Sequence, residues 1–422
     1  MNTLPLIAAY HPQAVLAWRA DGPVTHGRFA AEAIALAAAL PAGRHAINLC
    51  GDRYRFMLGL AAVCLRGQTS LLPASSAPMA IAALSDRYTD SYVLNDAMAR
   101  AQGGQTPEES PEIPADHIAA IAFTSGTTGA PQPHAKSWRV LAQTAQLARE
   151  VFLPGGEAVN VVGTVPPQHM YGLETTVFFA LAAGCAAHHG KPFFPADVRA
   201  ALTAVPAPRL LITTPVHLRA LLGAGVKLPE LRLMVSATAP LDAQLAAQAE
   251  DRFGAPLREI YGCTEAGSMA MRRPRETSQW QLHPGMRIED CEGSVSIRGE
   301  HLPQAIPLND VVDIADARRF HLLGRDADMI KVAGKRASLA DLTQKLLAVY
   351  GVEDAVLFLP DDSERPAALV VAPTLSESEI LAALTPQVDA VFLPRPLRKL
   401  PRLPRDELGK LPRARLLELL RT

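Results

Sequence analysis

The sequence predicts an α/β protein. It reads as a large N-terminal domain of βαβ subdomains with mostly parallel sheets plus a small β-lobe, followed by a small α+β C-terminal domain. Three observations carry this. Between residues 46 and 94, short apolar strands alternate with helical stretches, the rhythm of a parallel sheet covered by helices. The 422-residue length exceeds what one core supports and fits two or three lobes. From Gly324 onward the rhythm changes to mixed helix and strand. The expected domains are residues 1–325 and 326–422.

The elements follow in order. Ala14–Trp18, a turn at Asp21-Gly22, and Val24-Thr25 read as a β-hairpin. Thr25 suits the start of an alanine-rich helix reaching about Leu40. Strand Ala46–Cys50, helix Tyr54–Leu65, strand Thr69–Leu72, helix Pro78–Leu84 and strand Tyr92–Leu94 follow. Gln102 to Ala115, rich in Pro, Gly, Gln and Glu, reads as an exposed linker. Ile118–Thr124 is a buried-strand pattern. Next come helix Trp138–Val151, strand Val159–Val165 and a helix through Ala183. Further strands are expected at Arg209–Thr213, Leu231–Val235 and Leu257–Ile260, with short ones at Gly293–Arg298 and Ile306–Asp313. The C-terminal pattern is helix Leu339–Tyr350, strands Ala355–Leu359 and Ala368–Val371, helix Glu377–Leu384 and strand Ala390–Leu393.

Composition limits the functions. Lys and Arg total 41 against 42 for Asp and Glu, so no global charge draws the chain to nucleic acid or anionic membrane. The longest apolar run, residues 177–187, falls short of the ~20 residues a bilayer span needs. Five scattered cysteines without a CxxC pair suit reduced thiols. With no basic secretory segment at the start, a cytoplasmic location is expected. The adjacent His188 and His189 do not share a face and have no carboxylate cluster beside them, so they are read as incidental.

The chemistry begins at Phe123-Thr124-Ser125-Gly126-Thr127-Thr128-Gly129-Ala130-Pro131. Gly126 and Gly129 let a backbone approach a ligand closely. The hydroxyls of Thr124, Ser125, Thr127 and Thr128 and the loop N–H groups suit a phosphate. Gly129 is not followed by Lys-Ser/Thr, so this is not a Walker A loop. Three more stretches follow: Tyr261-Gly262-Cys263-Thr264-Glu265, the run Gly324-Arg325 to Gly334, and Leu403 to Arg413 around Gly409-Lys410.

In this order the four stretches resemble the core motifs of the acyl-adenylating superfamily: acyl- and aryl-CoA ligases, adenylation domains and luciferases. The resemblance runs from about Val24 to Arg415. It implies that ATP activates a small-molecule carboxylic acid as acyl-AMP. A thioester then forms on CoA or on a carrier-protein phosphopantetheine, which makes an acyl carrier protein an expected partner. By the same resemblance Thr124 to Gly129 hold phosphates and Glu265 supplies the carboxylate for Mg²⁺. Thr264 donates to the α-phosphate, and Tyr261 lies against adenine. Asp310, favoured over Asp313, chelates the ribose hydroxyls, and Arg325 contacts the ribose near a hinge. His169, in Pro166-Pro167-Gln168-His169-Met170-Tyr171-Gly172, belongs to an acyl-pocket element. Lys410 bridges the carboxylate and the α-phosphate from a mobile C-terminal lid, and Gly334 lines the pantetheine tunnel.

Ser236-Ala237-Thr238-Ala239-Pro240 resembles an Ala-Thr form found in some aryl-CoA ligases, which suggests an aromatic acid. The substrate expected is an aryl or medium acyl acid. Departures are Gln132 where the family usually carries lysine, and Ala327 at the usual Asp or Lys hinge position. The loss of a cation at Gln132 implies either slower adenylation or reliance on Lys136. The basic C-terminal cluster is either a solvated face or a receiver of CoA phosphates or an acidic carrier surface. The alternative reading is a non-catalytic nucleotide- or acyl-binding protein that retains the fold.

Overall fold

The structure is a computed structural model describing residues 2–100, 103–124, 132–291, 294–325, 329–332, 335–360, 363, 365–405 and 411–421. The βαβ rhythm forms as expected. Ser91–Leu94, His45–Asn48, Thr69–Leu72 and Ile118–Thr124 lie parallel in that spatial order, and Gln132–Ser137 closes the edge antiparallel. A second sheet has eleven strands among the described residues. Its middle is parallel and holds Leu257–Cys263, Leu233–Ser236, Arg209–Thr213, Asn160–Gly163, Ala186–His188 and Val15–Arg19. The Gly22–Thr25 strand of the predicted hairpin extends one end. Gly267–Arg272, Gln279–Leu282, Arg319–Arg325 and Asp310–Asp316 extend the other, all antiparallel.

Phe29, Tyr54, Phe56, Trp138, Phe178 and Phe179 belong to one large core and are almost wholly buried. Each large apolar side chain buried there contributes roughly 1.5–3 kcal/mol. Side-chain caps set the helix starts. Thr25 Oγ1 accepts from Arg28 N (3.2 Å), Ser137 Oγ from Val140 N (3.3 Å) and Asp242 Oδ1 from Gln244 N (2.8 Å). Each cap is worth about 1 kcal/mol. The C-terminal region has its own core, built on Leu342, Leu346, Ala368, Val370, Ile380 and Leu384. Its helix Leu339–Leu347 meets the larger part where Gln344 Nε2 donates to the Pro240 carbonyl (3.3 Å).

Several expectations need correction. Ala390–Leu393 is not a strand. Asp389 Oδ1 accepts the Val391 N–H (3.3 Å) and turns Ala390–Phe392 into a 3₁₀ helix. Prolines 394 and 396 then remove donors from the ladder. The third strand of that sheet is Leu397–Lys399, parallel to Ala367–Val371. Ile306–Asp313 is two strands. Ile306–Pro307 joins a small antiparallel sheet with Met286–Cys291 and Ser294–Gly299, and Asp310–Asp316 joins the large one.

The segment from Gln102 to Ala115 is not exposed throughout. Glu112–Pro114 pairs with Thr3–Pro5, and Ile113 and Ala115 are buried. The helix from Leu339 stops at Leu347, short of Tyr350. His189 has a structural partner, since its Nδ1 lies 2.6 Å from Asp52 Oδ2, the N-cap of Arg53–Leu65. Among the described residues no helix is long and apolar enough to cross a membrane.

Candidate functional site

The carboxyl ends of the parallel strands are where open α/β sheets present their ligand sites. There, Leu257–Cys263 turns into Gly267–Arg272 and carries Thr264 and Glu265 on the hairpin tip. The pairing register shifts between Tyr261 and Gly262. A Cβ at residue 262 would lie 2.3 Å from the Gly267 carbonyl oxygen, so glycine is required there. Tyr261 is wedged against Trp280 and Phe320, with ring centroids 5.6 and 5.5 Å away. Its hydroxyl donates to Asp310 Oδ2 at 2.5 Å. Tyr261, Thr264, Glu265 and Asp310 therefore share one region. Asp310 also pairs with Arg325 across adjacent strands. Asp313 lies farther along the same strand, opposite His321, so the contact with Tyr261 favours Asp310.

The second wall comes from the Pro166–Leu173 segment. A Cβ on Gly172 would meet the Pro166 carbonyl oxygen at 2.0 Å, which explains the glycine that ends this element. His169 caps the turn Met170–Gly172, and its carbonyl accepts from Leu173 N (2.7 Å). Tyr171 OH reaches the carbonyls of Val235 (2.9 Å) and Thr213 (3.2 Å) and so ties this wall to two strand ends. Close by, Thr238 holds φ +80°, a conformation costly for a β-branched residue and typical of functional sites.

Two ionisable groups lie beneath the hairpin tip: Glu174, which the sequence reading did not single out, and Lys136, which it named only in connection with the loss at Gln132. Glu174 sits in the π-helical turn Leu173–Phe178 and is 2% exposed. Its Oε2 accepts from Ser268 N at 2.9 Å, and burial pushes its pKa up to about 8. Lys136 is 4% exposed, and its Nζ donates to the Glu265 carbonyl. Burial lowers its pKa, against the opposing pull of Cys263, Glu265 and Glu174. Glu265 itself is half-exposed, with Oε1 3.7 Å from His134 Nε2. Burial raises the thiol pKa of Cys263, next to the tip, to about 12, which disfavours its thiolate. A lone glutamate inside the apolar run Leu173–Ala183 was the signal that marks Glu174. Arg53 Nη1 and Nη2 brace the Pro166 wall from behind by donating to the carbonyls of Gly163, Val165, His188 and Gly190.

Other expected residues fall elsewhere. Ser125, Gly126, Thr127, Thr128, Gly129, Gly334 and Lys410 lie outside the described residues, as does Ala327. Thr124 ends the strand Ile118–Thr124, immediately before the glycine- and threonine-rich stretch 125–131. Part of the basic C-terminal cluster has internal partners. Arg405 forks onto Asp354 (2.8 and 2.6 Å), Arg413 Nη2 donates to the Leu359 carbonyl (2.7 Å) and Arg415 pairs with Glu418. Those three arginines therefore each have a partner within the C-terminal region.

Residues 16–300 match the family described as AMP-binding enzyme. The chain belongs to the AMP-binding enzyme family. A 4-coumarate–CoA ligase of Rhodobacter capsulatus is 32% identical over 277 residues, covering 64% of this chain and 68% of that protein. A 3-hydroxybenzoate–CoA/4-hydroxybenzoate–CoA ligase of Thauera aromatica is 26% identical over 368 residues, covering 74% and 68%. Among solved structures, o-succinylbenzoate CoA synthetase from Bacillus subtilis with its acyl-adenylate superposes with TM-score 0.81 at 18% identity, covering 99% of this chain and 98% of that one. An anthranilate CoA ligase with anthranoyl-AMP gives 0.80 at 18%, with the same coverage. For this AMP-binding enzyme the likeness to solved structures concerns the fold, and it agrees with the predicted α/β architecture.

Mg²⁺ is tested by the donor set. No group of three His, Cys, Asp or Glu side chains is gathered for a metal among the described residues. One half-exposed carboxylate, Glu265, stands at the tip. This fits a cation that arrives on ATP, since Mg²⁺ is commonly held by one or two carboxylates plus phosphate oxygens.

Proposed function

We propose that this AMP-binding enzyme activates an aryl carboxylic acid with ATP as acyl-AMP and then forms a thioester with CoA or a carrier-protein phosphopantetheine. The observation that carries the reading is the hairpin tip. There Thr264 and Glu265 follow the strand that carries Tyr261, whose hydroxyl donates to Asp310; in this reading Glu265 is the metal carboxylate and Tyr261 with Asp310 the nucleoside platform. The relatives' names, aryl-acid CoA ligases, support the acid class, and so does the Ala237-Thr238 pair.

In the first half-reaction a carboxylate oxygen bonds to the α-phosphorus while the bond to pyrophosphate breaks. Two anions meet, so oriented donors and positive charge must wait at the site. Thr264 donates to the α-phosphate and Lys410 bridges it to the carboxylate. Thr124 to Gly129 hold the departing phosphates. Asp310 takes the ribose hydroxyls with acceptor sites beyond the one Tyr261 fills. Tyr261 lies against the adenine, Arg325 contacts the ribose, and His169 stands at the acid. Mg²⁺ on the phosphates would be held by Glu265 and supply charge neutralisation. In the second half-reaction a thiolate attacks the acyl carbonyl and AMP leaves. Residues 326–422 act as a lid that swings about the Arg325 hinge, withdraws Lys410 and opens a path past Gly334.

The test is ATP–pyrophosphate exchange over benzoates, hydroxybenzoates, cinnamates and fatty acids. Exchange driven by one aryl class is expected, followed by thioester formation when CoA or a phosphopantetheinylated carrier is added. ATP binding without exchange for every acid would instead support the non-catalytic binding protein.

A further inference from the structure

We propose that Lys136 is a positioning residue for adenylation. Its buried ammonium holds the Glu265 main chain, and with it the Glu265 carboxylate, where Mg²⁺ on ATP meets the enzyme. The proposal rests on the reading of Glu265 given above.

Gln132, His134 and Lys136 alternate along the strand Gln132–Ser137 that leaves the phosphate loop, so they share one face. That face looks onto the hairpin tip. His134 Nε2 lies 3.7 Å from Glu265 Oε1, and Lys136 Nζ donates to the Glu265 carbonyl. The strand thus joins the two segments that handle phosphate and metal.

A buried ammonium is costly unless charge and hydrogen bonds compensate it. Lys136 finds its hydrogen-bond partner in the Glu265 carbonyl, and the Glu174 carboxyl group interacts with it electrostatically. One of its oxygens holds Ser268 N, and the other, Oε1, is buried with no hydrogen-bond partner found. Ser268 Oγ in turn meets His283 Nε2 at 2.6 Å. The tip is therefore held at residue 265 by the Lys136 ammonium and at residue 268 by the Glu174 carboxyl group. Gly267 between them has Glu174 Oε2 only 2.9 Å from where a Cβ would stand. A strand that merely needed packing would carry an apolar side chain at residue 136. The lysine places a donor against the backbone of the metal carboxylate, on the strand where Gln132 has no charge.

The test is Mn²⁺ uptake into the ATP complex, read by electron paramagnetic resonance, with Mg²⁺-dependence of exchange and thermal unfolding alongside. Variants are Lys136→Met, Lys136→Met/Glu174→Gln and Glu265→Gln. The double variant removes the buried ammonium together with the ionisable group that faces it and keeps an acceptor for Ser268 N, so no uncompensated buried charge is left in either protonation state. Loss of such a supporting contact typically weakens metal binding about 10-fold or more. A weakening of about that size in the double variant, with metal-free ATP affinity unchanged, is expected. Glu265→Gln weakens Mn²⁺ uptake further. Normal Mn²⁺ uptake in the double variant, while Glu265→Gln loses it, overturns the role of Lys136 alone. Normal uptake in Glu265→Gln overturns the reading of Glu265 and this proposal with it.

Discussion

Lys410→Ala is expected to lower acid-dependent pyrophosphate exchange by about 10²- to 10³-fold, the usual loss when one preorganised donor to developing charge is removed. The reasoning is electrostatic. The carboxylate and the α-phosphate repel until a cation bridges them, and an ammonium on a long, flexible stem can arrive with a moving lid. In the proposed mechanism it departs with that lid, which would make the effect specific to one half-reaction. Thioester formation from synthetic acyl-adenylate and CoA should therefore stay within a few-fold of wild type. Rapid-quench measurement of both half-reactions reads this directly. Equal loss in both would mean that Lys410 serves folding or general binding, and no loss in either would remove it from the mechanism.

Arg53→Met is expected to destabilise the protein by on the order of 4 kcal/mol, because buried carbonyls that lose their donor cost about 1–3 kcal/mol each and relax only in part. Arg53 is 1% exposed. It donates to the carbonyls of Val165 (2.7 Å), Gly163 (3.0 Å), His188 (3.2 Å) and Gly190, and to Thr176 Oγ1 (3.1 Å). Burial lowers its pKa to about 10, so it is still a cation at neutral pH. Arg53→Lys should recover only part of the loss, since an ammonium has three donors and no planar fork. Urea midpoints for the two variants decide it. A midpoint close to wild type for Arg53→Met would show that these carbonyls find other partners.

Arg53 also shows where sequence reading stops. At residue 53 the sequence shows a charge at the start of a helix, an ordinary surface position. Its acceptors lie more than 100 residues away, and nothing local announces them. Lys136 was named as a cation near Gln132 and Glu174 stands as a lone acid in an apolar run, but the partner of each, the hairpin at residues 264–268, was not legible. What was legible was local or periodic. The Asp21-Gly22 turn, the Thr25 cap and the strand–helix alternation from residue 45 onward all formed. Motif order pointed to the family that residues 16–300 match. Tyr261 and Asp310, 49 residues apart, were paired on the page only by a shared ligand, and they meet through a hydrogen bond. The misread Ala390–Leu393 was an apolar run whose preceding aspartate outcompeted the ladder for a backbone N–H.

The central claim is that the acid's own oxygen attacks the α-phosphorus. The most direct measurement supplies an aryl acid labelled with ¹⁸O in both carboxylate positions, together with ATP and CoA, and weighs the nucleotide product by mass spectrometry. Attack through acyl-AMP predicts AMP carrying one ¹⁸O, because the thiol breaks the acyl carbon–oxygen bond and leaves that oxygen on phosphorus. Unlabelled AMP, or ADP in its place, would contradict an acyl-adenylate and with it the role given to the Glu265 hairpin.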